Sequence, residues 1–324
     1  MKALLVSALL LVWIPAVAQD AVYLQSGKGK PPFDVTRHSV PVNEILGGGP
    51  PRDGIPALDA PKFVSADKAR KFLSDKDRVL GVAVAGRAKA YPIRILNWHE
   101  IVNDEINERP ITITWCPLCV SGIVYDPVLN GKRLTFGVSG KLYKASLVMY
   151  DRQTESMWSQ ILQEAIAGPM TGAKLSMLPA QHTTWADWRG QHPDTLVLSP
   201  DTGYDRDYGL NPYADYYEQG IAFGGPRAGR QLDPEIRPME RVLGIQFGDA
   251  KKVYPFSRLK KQSATFQDDV AGQKIVIHFD PRSESAYAST LSGEQIPSLV
   301  TFWFAWVDFY PGTLVFKDPR RPPA

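Results

Sequence analysis

Val79-Leu80-Gly81-Val82, followed by Ala88-Lys89-Ala90-Tyr91-Pro92-Ile93, returns later in the chain as Val242-Leu243-Gly244-Ile245, followed by Ala250-Lys251-Lys252-Val253-Tyr254-Pro255-Phe256. Working outward, Ile111-Thr112-Ile113-Thr114-Trp115-Cys116 lines up with Ile275-Val276-Ile277-His278-Phe279-Asp280. Trp185-Ala186-Asp187-Trp188 and Pro193-Asp194-Thr195-Leu196-Val197-Leu198 answer Trp303-Phe304-Ala305-Trp306 and Pro311-Gly312-Thr313-Leu314-Val315-Phe316. Order, spacing and residue type agree, so the chain is expected to contain one unit twice.

Each copy predicts the same elements. Arg78 to Val84 reads as a strand, and Gly86 turns it into a second strand ending at Pro92. Pro92 suits the start of a helix over Ile93 to Val102, with Ile93, Leu96 and Ile101 near helical spacing. Ile111 to Trp115 alternates as a strand does, and Thr183 or Thr184 caps a short helix carrying Trp185 and Trp188 on one face. The expected fold is therefore α+β: an internally duplicated unit of mainly antiparallel strands with short helices. The first copy carries about 46 extra residues, a long connection that needs an explanation. It holds an Asn130-Gly131 hairpin turn and strands near Ile123–Tyr125, Leu134–Phe136 and Ala145–Tyr150, hence extra hairpins. The division that follows is an extended arm over 19–61, a first repeat over 62–199, a linker over 200–238 and a second repeat over 239–324.

Met1 to Ala18 has the parts of a secretory signal: Lys2, an apolar run from Ala3 to Val12, and Ala16-Val17-Ala18 as a cleavage pattern. The run is too short for a membrane anchor, so the expectation is an exported soluble protein, periplasmic or extracellular, with no stable anchor after cleavage. A net charge of +3 without a Lys/Arg run argues against nucleic acid as a partner; the small-molecule or protein partner is left open.

Residues found in the first copy alone are the place to look for chemistry. Trp115-Cys116-Pro117-Leu118-Cys119 follows a strand, where the second copy has Phe279-Asp280-Pro281-Arg282-Ser283. A disulfide staple there closes a four-residue loop and restricts the unfolded chain by only about 2 kcal/mol, against about 3 for fifteen residues. Two thiolates on a tight turn suit a soft ion, copper or zinc. Cys116 and Cys119 would be ligands, His99 a nitrogen ligand (the second copy has Gln262 there) and Met149 a fourth, with Trp115 and Trp158 as shields. Thiol–disulfide redox chemistry is the alternative, with Cys116 attacking and Cys119 resolving; a disulfide-closed binding module without chemistry is the third. Asp151, Trp158 and Gln160 are placed beside Cys116 by position alone. His38, His182 and His192 read as structural, and Gly137-Val138-Ser139-Gly140-Lys141 as a turn.

The run from His99-Glu100-Ile101-Val102-Asn103-Asp104 through Trp115-Cys116-Pro117-Leu118-Cys119 resembles the domain-of-unknown-function 3179 family of prokaryotic proteins. So do Phe136-Gly137-Val138-Ser139-Gly140, Leu147-Val148-Met149-Tyr150-Asp151-Arg152, Trp158-Ser159-Gln160 and Trp185-x-x-Trp188 to Pro193-Asp194-Thr195. The resemblance covers most of the chain after Val40 and implies no reaction.

Overall fold

The computed structural model describes residues 20–224 and 232–317; the signal segment Met1–Ala18 lies outside them. The architecture corrects the expected fold. It is a five-blade β-propeller, 42% strand and 13% helix, and not an α+β duplicated unit. The helices that suggested an α layer, Ile93–His99, Trp185–Gln191, Phe256–Leu259 and Trp303–Phe309, are one or two turns at strand ends, too short to cover a sheet. Local periodicity has the same appearance for such a turn as for a layer helix. What each sheet packs against is decided by contacts distant in sequence.

The first blade has the order Gln181–Thr184, Arg78–Val84, Arg87–Pro92, Leu196–Leu198, Phe63–Ser65. A second is ordered Ser176–Leu178, Ser121–Asp126, Arg109–Cys116, Ile101–Ile106. The extra residues of the first half build a whole blade: Glu164–Ala167, Met157–Ser159, Ser146–Asp151 and Phe136–Tyr143, closed at its edge by Ile45–Gly47 from the N-terminal arm. A fourth joins Leu299–Phe302, Arg241–Phe247, Ala250–Pro255 and Leu314–Val315, and a fifth runs Thr265–Val270, Gln273–Asp280, Ser285–Thr290, Gln295–Ile296. No helix among the described residues is long and apolar enough to cross a membrane.

The matched segments acquire physical meanings here. The indole of Trp188 lies on the face of Gly81, where a Cβ would sit 2.4 Å from ring carbons, and Trp306 lies on Gly244, at 2.0 Å. Each of these buried indoles then donates to the threonine of the Pro-x-Thr segment: Trp188 Nε1 to Thr195 Oγ1 and Trp306 Nε1 to Thr313 Oγ1, both at 3.0 Å. Tyr91 and Tyr254 donate to Asp104 and Asp268, and Lys89 and Lys252 pair with the same carboxylates at 2.8 and 2.7 Å. Pro92 and Pro255 stand as N-caps of the turns that follow. The first of these helices stops at His99, earlier than the expected Val102, because Glu100 takes φ 56° and the chain starts a strand at Ile101. Asn130 and Gly131 both have positive φ, the geometry of a primed hairpin turn, between Val128–Leu129 and Lys132–Arg133. Gly137 to Lys141 is strand, with a bulge between Val138 and Lys141, where a turn was expected.

Candidate functional site

Strand Arg109–Cys116 pairs antiparallel with Ser121–Asp126, and Cys116 faces Ser121 across the ladder. Pro117 to Val120 form the connecting turn, closed by Val120 at φ 55°. Both cysteines are free and buried, at 1% and 0% exposure, and they approach to 3.1 Å. That is shorter than the bite of about 3.8 Å that two thiolates at 2.3 Å from a tetrahedral zinc would have, and longer than the roughly 2.0 Å of a disulfide.

The turn is held from outside. Tyr217 donates to the Pro117 carbonyl at 2.9 Å and Tyr216 to that of Leu118 at 2.7 Å. The Cys119 carbonyl accepts from Thr301 Oγ1 at 2.8 Å and from the Phe302 amide at 2.9 Å. The tyrosines sit on the helix Ala214–Gln219, in the segment expected to be a linker. Every carbonyl from Pro117 to Cys119 is thus occupied, and the turn is fixed by two other parts of the chain.

Cys119 Sγ lies 3.0 Å from Ser121 Oγ. Ser121 and Ser146 both donate to Gln160 Oε1, at 2.7 and 3.1 Å. The amide is oriented by its own Nε2, which donates to Thr114 Oγ1 at 3.0 Å and to the Ser121 carbonyl at 3.1 Å. A hydroxyl carries one proton. Ser121 and Ser146 can therefore give theirs to Gln160 while Cys119 is a thiol, or turn toward the sulfur when it is a thiolate. Burial pushes the Cys119 thiol up, but hydrogen bonds from Cys116, Ser121 and Ser146 outweigh it and hold the group below the ordinary thiol range. Cys116, burdened by the same burial and donating to its neighbour, is pushed well above that range. The two sulfurs are therefore unequal, with Cys119 held down and Cys116 pushed up.

Glu100 completes the electrostatics. Its carboxyl is buried, and this burial raises its pKa to about 8 against a hydrogen bond from Tyr213 that lowers it. A carboxyl whose folded pKa exceeds its unfolded one retains its proton longer in the native state. Its contribution is intact below the unfolded value of 4.5 and is lost as pH rises through about 8. Glu100→Gln is expected to flatten the decline in unfolding free energy between these limits, by up to about 4 kcal/mol. Urea titrations of both proteins at stepped pH measure it; parallel curves would place the proton elsewhere.

The other expected site residues are placed as follows. His99 is buried with both ring nitrogens engaged, Nδ1 with the Pro56 carbonyl at 2.8 Å and Nε2 with the Tyr208 hydroxyl at 2.6 Å. Its burial holds the imidazole below its usual pKa. Met149 is buried on strand Ser146–Asp151, three residues from Ser146 and so on the opposite face from the hydroxyl that joins the cysteine network. Among the described residues no three His, Cys, Asp or Glu side chains come together as a metal cage. Gln160 does join the cysteines, while Asp151 and Trp158 pair with one another at 2.9 Å. Ser121, Thr114 and the tyrosines escaped notice because nothing in their local sequence marks them. Glu100 adjoins His99 in a quoted motif, yet its burial had no sequence signature.

The family model described as Protein of unknown function (DUF3179) matches residues 52–295. No curated protein and no solved structure matches the chain.

Proposed function

The chain belongs to the domain-of-unknown-function 3179 family, and from that premise, which brings no reaction with it, we propose that Cys116 and Cys119 form a thiol–disulfide redox centre of an exported protein, acting on a small disulfide. The observation that carries the reading is a buried, unequal cysteine pair 3.1 Å apart within a clamped turn, in which hydrogen bonds hold the Cys119 thiol below its ordinary range. The Cys119 thiolate attacks one sulfur of R–S–S–R; that bond breaks, one thiolate leaves and takes up a proton, and a mixed disulfide remains on Cys119. Cys116 then loses its proton and attacks the Cys119 sulfur, expelling the second thiolate, which takes that proton up as R–SH. Two thiols become one disulfide, and the two electrons reside in the two R–SH released. Burial of both sulfurs favours a small reagent over a protein disulfide.

Copper or zinc binding at the same pair is the competing use, and one experiment separates them. The reduced protein is equilibrated in glutathione buffers of graded poise, and thiols and metals are counted. The expected result is one intramolecular disulfide with a potential well above about −300 mV, with Cys116→Ser trapping glutathione on Cys119. A potential below that value would mark a structural staple. One zinc or copper retained with both thiols unoxidised would replace the redox reading with the metal one.

A further inference from the structure

A pocket of about 700 Å³ opens where the matched strands Arg78–Val84 and Arg241–Phe247 begin. Arg78, Arg241 and His182 line one side of it, and Trp115, Met239 and Phe302 contribute apolar wall. Neither cysteine belongs to this lining, so the pocket can be read without the thiol reading.

The polar side is built and incomplete. Arg241 is neutralised by Glu284, which accepts from it and from Lys260. Arg78 is not: among the described residues it donates to the carbonyls of Ser283, His182 and Glu284, and its buried Nε has no partner. His182 is 7% exposed, stands edge-on to Trp115 with ring centroids 5.2 Å apart, and has no hydrogen bond at either ring nitrogen. Burial, together with the two guanidiniums, holds this imidazole well below its usual pKa, so at neutral pH it is uncharged and carries one N–H. Burial and the neighbouring Arg241 likewise bring Arg78 down to about 9. The carboxylates of Glu284 and Asp187 act on this buried cation without a hydrogen bond to it, so a ligand that supplies a carboxylate and acceptors directly to Arg78 and the idle imidazole would complete the site.

We propose that this pocket binds a small organic carboxylate, its oxygens accepting from Arg78 and the His182 ring and its apolar body lying against Trp115, Met239 and Phe302. One unneutralised guanidinium suits a monoanion better than a phosphate dianion, and a planar carboxylate matches the guanidinium edge. The apolar wall selects an anion with a hydrocarbon body over an inorganic one.

Trp115 provides the readout. Titration with benzoate is expected to change tryptophan fluorescence saturably, while benzamide, the uncharged analogue, binds at least about tenfold more weakly. His182→Phe keeps an aromatic ring beside Trp115 but removes both nitrogens, and is expected to weaken benzoate by about tenfold. Arg78→Gln should weaken it further; because Arg78 also ties three carbonyls, His182→Phe, with unfolding checked in urea, is the deciding variant. Equal affinity for benzamide, or a folded His182→Phe protein that binds benzoate as the parent does, would overturn the carboxylate site. Inorganic phosphate displacing benzoate at equal concentration would overturn the choice of ligand class.

Discussion

Gly244→Ala is expected to destabilise the protein by about 3 kcal/mol or more, with Gly81→Ala close behind. The sign is the informative part. An alanine in place of a strand glycine ordinarily stabilises by about 0.5–1 kcal/mol, because it removes freedom from the unfolded chain. Here the new methyl would lie 2.0 Å from the Trp306 ring, or 2.4 Å from that of Trp188. Neither indole can retreat freely, since each is buried and its Nε1 is tied to a threonine at 3.0 Å. Relief requires displacing a tryptophan, its short helix and the segment carrying that threonine. Gly190, in the helix Trp185–Gln191 with open space where its Cβ would be, is the control; there alanine should gain up to about 1 kcal/mol. Urea unfolding midpoints decide the matter, and a Gly244→Ala protein as stable as its parent would remove the interlock from the account of the fold.

That interlock also explains how much of the architecture was legible. Gly81 with Trp188 and Thr195, and Gly244 with Trp306 and Thr313, are compact devices made of rare residue types. They leave a trace in sequence even when over 100 residues separate their parts. The strands and turns around them were legible for the same reason: Asn130-Gly131 needs positive φ and Pro92 starts a helical turn. The relation of sheet to sheet was not. Whether Arg78–Val84 is covered by helices or by neighbouring blades depends on contacts such as Thr183 with Ser285 at 2.7 Å, and hydroxyl pairs of that kind have no pattern. At the site, the absence of thiols from the matching stretch Phe279-Asp280-Pro281-Arg282-Ser283 singles out Cys116 and Cys119. His99 looked equally distinctive, but its two nitrogens serve Pro56 and Tyr208. The groups that set the sulfur chemistry are a glutamine, two serines and a glutamate, ordinary residues whose burial, at 0 to 7% exposure, creates their effect.

One of the two thiols is expected to ionise below the ordinary thiol range, and that titration should vanish in Cys119→Ser while surviving in Cys116→Ser. Burial alone would raise both thiols, so a thiolate can exist here only through its donors. Serine at 116 preserves a hydroxyl able to donate to the Cys119 sulfur; alanine does not. A hydrogen bond to a charged group contributes about 1.5–3 kcal/mol, so Cys116→Ala should raise the Cys119 pKa by about 1–2 units. Ser146→Ala should raise it in the same direction, though less, because Ser121 and Cys116 remain. Ultraviolet absorbance of the thiolate, followed from acid to alkaline pH in these four variants, measures each shift without requiring a reagent to reach a buried sulfur. A thiolate that persisted in Cys119→Ser would place the charge on Cys116 and reverse attacking and resolving roles. An unshifted curve in Cys116→Ala would show that the thiol contact at 3.1 Å contributes nothing to the anion, and the buried hydroxyls would then have to supply its stabilisation alone.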